Sequence, residues 1–151
     1  MAVGTVSSIN DDVWQLIGSS SLTSGTSYSF TSISGYKTLM LTFKGVTTSA
    51  NSYMAVRLNN DSTAGNYSQF TGESETRFLV SGNAITRAGG VIIHNANQDV
   101  PHKVELTTYS APEAANLAFY LDPTAINRVD LISRESYAFT AGTVYLYRIA
   151  A

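Results

Sequence analysis

Two histidines and a carboxylate lie close together in the sequence and have residue types that bind metals. His94 and His102 flank a loop that contains Asp99, and two histidines with one carboxylate form a known iron-binding set. The spacing runs through a loop and matches no short helical ligand motif. Each histidine also falls at a predicted strand end, where capping or solvent contact is common. We therefore expect no metal, and a small hydrolase or metal enzyme is kept only as a third alternative.

Two other polar groups resemble functional sites. Glu73 and Glu75 would project from one face of a strand like a glycosidase pair, but carboxylates at this spacing are usually solvated. The loop Asn59–Asn66 is rich in oxygen atoms, yet its single carboxylate would hold calcium poorly, and a turn with Gly65 at positive φ is the simpler explanation. The sequence has neither a nucleophile elbow nor a phosphate loop. We expect no enzyme activity and no cofactor.

Composition excludes several classes of partner and site. The chain has 151 residues, a net charge of −2 and no cysteine, which excludes disulfides and thiolate metal sites. The charge is too small for binding to nucleic acid or to an anionic membrane surface, and no apolar stretch is long enough for a membrane helix. The first residues lack the pattern of a secretion signal, so we expect synthesis in the cytoplasm.

The predicted surface is unusually poor in charge. Only 13% of the residues are charged, against about 25% in average soluble domains, and serine and threonine together supply 36 residues. A hydroxyl-rich surface of this kind tolerates burial between subunits. The composition therefore favours a protein that assembles with others.

Alternation of apolar and polar residues predicts an all-β protein. Thr38–Lys44 and Ser52–Leu58 have period two and are predicted to pair as a hairpin through Gly45–Asn51. Eight further strands are predicted at 13–17, 26–30, 76–80, 90–94, 103–109, 117–121, 126–133 and 143–149. Pro112–Leu117 is the one candidate for a short helical turn. We expect one domain over residues 1–151, an antiparallel two-sheet sandwich of jelly-roll type with about eight to ten strands.

Several residues are predicted to lie at an interface or in the core. In the last strand Tyr145 and Tyr147 share one face with Ile149, opposite Val144, Leu146 and Arg148, so both faces are covered. Residues 1–12 end in Asp11 and Asp12 and form either an arm against a neighbouring subunit or a short edge strand. The single tryptophan, Trp14, is predicted to anchor the core.

The order of residues resembles that of a group of tailed-bacteriophage virion proteins. Phe30–Leu41 is similar to their Phe-Thr-x-Ile followed by Tyr-Lys-x-Leu-x-Leu, Val56–Asp61 resembles their Phe-Asn-x-Asp, and Asn66–Ser68 is similar to their Asn-Tyr-Ser. The resemblance continues in two later segments, His94–Val104 and Ala141–Ile149. Leu58 stands where an aromatic residue is common in the group, and Arg148 stands where a glycine is common.

This resemblance implies a structural virion component without enzyme activity or cofactor. We expect a capsid decoration or cement subunit that stabilises the head through contacts between subunits, with the major capsid protein or tail components as partners. The expected assembly is a homo-oligomer, with a trimer favoured. The interface residues predicted for it are Asp11, Asp12, Tyr145, Tyr147 and Arg148. The alternative is a tail-fibre or receptor-binding module that recognises host-surface glycans, with Asn66, Tyr67 and Asn95–Gln98 in its loops.

Overall fold

The computed structural model describes residues 13–69, 76–108 and 117–150. Eleven strands form two antiparallel sheets, and these residues contain no helix, hence none that could cross a bilayer. The strands are β1 (Gln15–Ser21), β2 (Ser27–Phe30), β3 (Tyr36–Ser52), β4 (Met54–Leu58), β5 (Tyr67–Gln69), β6 (Phe78–Leu79), β7 (Ala84–His94), β8 (His102–Thr108), β9 (Leu117–Tyr120), β10 (Val129–Ser133) and β11 (Phe139–Ala150). The prediction of an all-β, two-sheet antiparallel fold is confirmed.

The strand order has the topology of a jelly roll. The large sheet has the order β1-β11-β3-β7-β8-β9-β5, and the small sheet has the order β2-β10-β4-β6. Four antiparallel pairs are nested in the sequence, namely β1 with β11, β2 with β10, β3 with β7 and β4 with β6. Rolling up this nested ribbon brings β11 beside β3 and β10 beside β4, as two Greek keys require. Strands β8, β9 and β5 extend the large sheet beyond β7.

The two sheets enclose one cluster of buried hydrophobic side chains. Leu39, Leu41 and Phe43 of β3 face this core, as the alternation in the sequence predicts, and Val56 and Leu131 approach it from the small sheet. Every second residue of a strand points to the same face, so the residues between these inward positions lie on the outer faces of the sandwich. The outer faces are therefore the surfaces available for function.

The predicted hairpin between Thr38–Lys44 and Ser52–Leu58 is wrong. Residues Gly45–Asn51 continue strand β3, and β4 belongs to the other sheet. Gly45 has φ 61° and lies at a bulge, where it lets the strand bend and continue. Opposite it, Gly142 has φ 110°, and a Cβ atom there would lie 2.4 Å from the Cα atom of Val46. The glycine that suggested a turn marks a bulge instead.

Other boundaries also differ from the prediction. The serine-rich residues after Gly18 belong to β1, because they pair with β11, and β7 begins at Ala84 inside a predicted loop. Strand β5 was not predicted. Residues 1–12, with Asp11 and Asp12, lie outside the described residues. So do Glu73, Glu75 and the predicted helical turn at Pro112–Leu117, apart from Leu117, which begins β9.

Candidate functional site

The structure does not bring the two histidines together. His102 is fully buried on the inner face of the large sheet, where its ring stacks on Tyr120 with 6.0 Å between centroids and its Nε2 donates to the carbonyl oxygen of Thr124 at 3.0 Å. His94 is partly exposed at the end of β7, with Nε2 3.2 Å from Oε1 of Glu105. The two rings thus lie on opposite faces of one sheet.

Asp99, the third residue of the candidate metal site, makes a hydrogen bond with another part of the chain. Oδ1 of Asp99 accepts a hydrogen bond from the backbone amide of Ala125 at 3.2 Å. Within the described ranges, no three His, Asp or Glu side chains lie together in an arrangement that could hold a metal ion. The alternative of a metal enzyme at this loop therefore has no geometric support.

The oxygen-rich loop Asn59–Asn66 is a hydrogen-bonded turn. Oδ1 of Asp61 accepts from the amide of Thr63 at 2.8 Å, and its Oδ2 accepts from Asn66 Nδ2 at 2.7 Å and from the Tyr120 hydroxyl at 3.0 Å. Burial opposes ionisation of Asp61, but these hydrogen bonds outweigh it and lower its pKa. Gly65 has φ 97°, as the turn interpretation predicts. The carboxylate holds the loop in place and leaves no set of free oxygens for calcium.

Tyr67, which the glycan alternative placed in an exposed loop, is buried in this same region. Its hydroxyl donates to the carbonyl oxygen of Asp61 at 2.9 Å and accepts from the amide of Leu58 at 3.0 Å. Burial raises the pKa of this phenol above its ordinary value. Tyr67 is a structural residue, and its ring is not available for stacking on a sugar.

The outer face of the large sheet carries the most distinctive surface of the described residues. Tyr145 and Tyr147 project onto it, because Val144 and Leu146, which alternate with them, are buried in the core. The two phenol rings are stacked with 6.3 Å between centroids and an angle of 29°. Strand register places Tyr147 between Leu16 and Met40, and places Ile92 beside Met40. Below, the "outer face" of the large sheet means Leu16, Met40, Thr42, Gly90, Ile92, Thr107, Tyr145 and Tyr147.

A shallow apolar groove of about 410 Å³ crosses this outer face. Its floor is open because Gly90 has no side chain, and a Cβ atom there would lie 2.4 Å from the carbonyl oxygen of Leu41. The groove is lined by Met40, Thr42, Ala88, Gly89, Gly90, Val91, Ile92 and Thr107. Sequence reasoning missed it, although two glycines inside a strand pattern are a signal of close backbone approach.

Arg148 does not share the surface of the two tyrosines. It alternates with Tyr147 along β11, and its guanidinium Cζ lies 4.6 Å from the centroid of the Tyr36 ring. The predicted interface residues therefore divide into a pair on the outer face, Tyr145 and Tyr147, and an arginine held against an aromatic ring on the other side of the strand.

The edge of the large sheet at β1 is also apolar. Val13, Trp14, Leu16 and Ile17 are 50%, 39%, 54% and 36% exposed. The prediction that Trp14 anchors the core is thus wrong, because the ring lies at the sheet edge and not between the sheets. We call Val13, Trp14 and strand β1 together the β1 edge.

The outer face of the small sheet is different in chemistry. Asp130 projects from the middle of β10, and its carboxylate accepts from Nε of Arg128 at 2.8 and 3.1 Å. Nη2 of Arg128 also donates to Ser29 at 3.1 Å. Asp130 lies opposite Arg57 of β4 in the ladder. In this row of the face the polar and charged side chains bond one another, whereas the neighbouring row of Ile132, Ala55 and Leu79 is apolar.

Comparison with known proteins adds little to this description. No protein-family model and no curated protein sequence matches the chain. Among solved structures, CG-16, a homodimeric agglutinin from chicken liver, is similar with a TM-score of 0.41 and 12% sequence identity, over 80% of this chain and 98% of that chain. A likeness this distant carries no inference about function.

Proposed function

We propose that this protein is a structural protein of a tailed-bacteriophage virion, and that it acts as a capsid decoration or cement subunit. The observation that carries the proposal is the apolar, weakly charged outer face of the large sheet together with the β1 edge. Exposed apolar surface that is contiguous and rimmed by polar residues is typical of a protein interface. The order of residues that resembles phage virion proteins supports the virion as the setting.

The proposed mechanism is mechanical. A decoration subunit buries part of its surface across several capsid subunits, and apolar burial contributes roughly 25 cal/mol per Å² before the costs of association. Tyr145 and Tyr147 suit such a contact, because tyrosine combines a large apolar ring with one polar atom and is enriched at interfaces. No bond is made or broken, so the function requires no catalytic residue.

The proposed partners are the major capsid protein or tail components, together with further copies of this chain. A homo-oligomer follows from the uncovered apolar surface, and a trimer remains the favoured form from the sequence. Neither nucleic acid nor a membrane is proposed as a partner.

Cryo-electron microscopy and mass spectrometry of particles from the phage that encodes the protein test this proposal. We expect many copies at symmetry-related positions on the head, and lower thermal stability of particles that lack the protein. Absence from purified particles would overturn the virion assignment. Its presence only on the tail would replace the decoration role with a tail role.

The second candidate is a tail-fibre or receptor-binding module for host-surface glycans. The observation that favours it is the stacked pair Tyr145 and Tyr147 next to the groove, where Thr42 and Thr107 supply hydroxyl groups. Sugar rings pack against aromatic faces and exchange hydrogen bonds with hydroxyls. A glycan array would separate the two candidates, because saturable binding that Tyr145→Ala abolishes is expected only of the receptor-binding module.

A further inference from the structure

We propose that strand β1 pairs in antiparallel fashion with β1 of a second copy of this chain, across a two-fold axis. The two seven-stranded sheets would then form one continuous sheet. This inference rests on the proposed function, because it names the partner that part of the assembly surface takes. Four observations on the described residues carry it.

The first observation is the open backbone of β1. This strand is outermost in the large sheet and is paired with β11 on one side, while no described strand pairs with its other side. Exposed edge strands are normally protected by charged residues, by proline, by bulges or by being very short. Gln15–Ser21 has seven residues and contains neither a charged residue nor a proline, and its bulge lies before Gly18, so the open side of Gly18–Ser21 has none of these protections.

The second observation is the cluster of apolar side chains beside this backbone. A bulge between Leu16 and Gly18 adds one residue to β1 relative to β11, and an extra residue breaks the strict alternation of the strand. As a result the adjacent residues Leu16 and Ile17 are both exposed, next to Trp14 and Val13. Four large apolar side chains thus surround an edge that can accept another strand.

The third observation concerns length and charge, and it favours a second copy as the occupant. The other strands at sheet edges are β2, β5 and β6, which have four, three and two residues. Within the described part of the chain, only another β1 can match all seven residues of this edge. Because the strand is uncharged, pairing with itself places no like charges opposite each other.

The fourth observation is the area available. A large side chain presents about 200 Å² when free, so four that are about half exposed leave roughly 400 Å² per copy, or roughly 800 Å² for the pair. The paired backbone and serine hydroxyls of β1 would raise the total above about 1,000 Å², where specific interfaces begin. The edge is therefore large enough for a stable contact between two copies.

The contact is isologous, which restricts the possible assemblies. A two-fold contact alone gives a dimer, and it coexists with a trimer only in a dihedral assembly of six chains. The inference thus predicts an even number of copies.

The experiment uses the absence of cysteine from the chain. Single variants Gln15→Cys, Leu16→Cys, Ile17→Cys, Ser19→Cys, Ser20→Cys and Ser21→Cys of the full-length protein are oxidised alone and as mixed pairs. Residues that meet across an antiparallel ladder have Cα atoms about 4.5 to 5.5 Å apart, which a disulfide can bridge. A pairing that matches all seven residues places Gly18 on the two-fold axis and Ile17 opposite Ser19, so we expect the mixture of Ile17→Cys and Ser19→Cys to form the covalent dimer at least about tenfold faster than either variant alone.

A second measurement tests the interface without a disulfide. Ile17→Lys places one charge from each copy next to the two-fold axis of the contact, and sedimentation equilibrium should show at least about a tenfold weaker dimer. Ile85→Lys is the matched control, because Ile85 is 57% exposed on β7, away from β1, and should leave the dimer unchanged. Circular dichroism of both variants checks that they fold. If Ile17→Lys fails to fold, the disulfide series alone tests the pairing.

The outcomes separate this inference from the proposed function. A monomeric wild-type protein, or an oligomer in which no pair of β1 positions forms a preferred disulfide, overturns the pairing. Incorporation of the wild-type chain into phage particles is measured separately, so the decoration role can stand where the β1 pairing fails.

Discussion

Two rows of outward side chains, one on each sheet, have opposite chemistry although both come from the same period-two alternation. On the small sheet, the outward Asp130 is almost fully covered by Arg128, and the polar groups satisfy one another. On the large sheet, the outward positions include Leu16, Met40 and Tyr147, whose apolar atoms have no covering layer among the described residues. The polar row around Asp130 is satisfied within the chain, whereas the apolar row from Leu16 to Ile92 has the composition of a contact.

From this difference we expect that one set of outward side chains stabilises the fold and that the other set mediates assembly. Substitutions on the small-sheet face should alter the free energy of unfolding and leave association unchanged, because its interactions are internal. Substitutions of the apolar side chains on the large-sheet face should do the reverse, because the proposed partner would cover these side chains. The following predictions test this division from the largest expected effect to the smallest.

Asp130→Ala should cause the largest loss of folding stability. The substitution removes both hydrogen bonds that Nε of Arg128 donates. Breaking a buried ion pair costs about 3 to 5 kcal/mol, and we expect about 2 to 3 kcal/mol here because the arginine is partly exposed and regains water. Urea unfolding measures the loss. Ser29→Ala, which removes only the bond to Nη2, should cost about 1 kcal/mol or less, and an equal effect of both variants would contradict the assignment.

Tyr147→Ser should weaken association with little effect on folding. The ring stacks on Tyr145 and lies between Leu16 and Met40, and interface tyrosines commonly contribute more than about 1 kcal/mol. We expect the dissociation constant of the assembly to rise about tenfold, which corresponds to about 1.4 kcal/mol. The same change at Tyr137, an exposed tyrosine in the loop after β10, is the control. Equal weakening by both variants would show that Tyr147 has no special role.

Acid should destabilise the protein in part through Asp61, which belongs to neither outer face. Its pKa is lowered from 3.8 in the folded protein, so its stabilising contribution is present above this value and disappears as pH falls through the lower folded pKa. Asp61→Asn should reduce the melting temperature at pH 6 and make the acid limb of the melting curve shallower. Melting temperatures of both proteins between pH 6 and pH 2 measure this, and parallel curves would exclude Asp61 as the titrating group.

Glu105→Gln should have the smallest effect. The hydrogen bond from Lys103 lowers the pKa of Glu105 against a small opposing effect of burial, but both side chains are well exposed, with 2.9 Å between Nζ and Oε1. Exposed pairs contribute about 0 to 1 kcal/mol, and we expect less than about 0.5 kcal/mol. Any contribution is present at neutral pH and is lost below the ordinary pKa of 4.5. Urea unfolding at pH 7 and pH 3 measures this contribution. A loss of folding stability as large as that of Asp130→Ala would contradict the difference between the two rows of side chains.

The sequence predicts on which face of a strand a residue lies better than it predicts which strands pair with each other. The orientation of Tyr145 and Tyr147 follows from Val144 and Leu146, the buried residues that alternate with them, because alternation is local. The hairpin prediction failed because a glycine such as Gly45 supports either a turn or a bulge, and the choice depends on Gly142 in a distant strand. The groove was missed for the same reason, since Thr42, Gly90 and Thr107 meet only once three separate strands have paired.

The tryptophan illustrates the limit of residue type as a guide to burial. Trp14 was placed in the core because large aromatic side chains are usually buried, yet it lies at the β1 edge. A single sequence does not indicate which strand is outermost, and this position determines whether a neighbouring aromatic ring is covered. The resemblance to phage virion proteins and the predicted interface residues stay predictions.

The pairing of β1 with β11 has a consequence for the order of events during synthesis. A ribosome releases β1 long before β11, so the first strand has no ladder partner until nearly all the described sequence has emerged. The tyrosine pair is itself carried by that late strand. A half-made chain therefore lacks both tyrosines and the strand that holds β1 in place, so the outer face is complete only when the sandwich is finished.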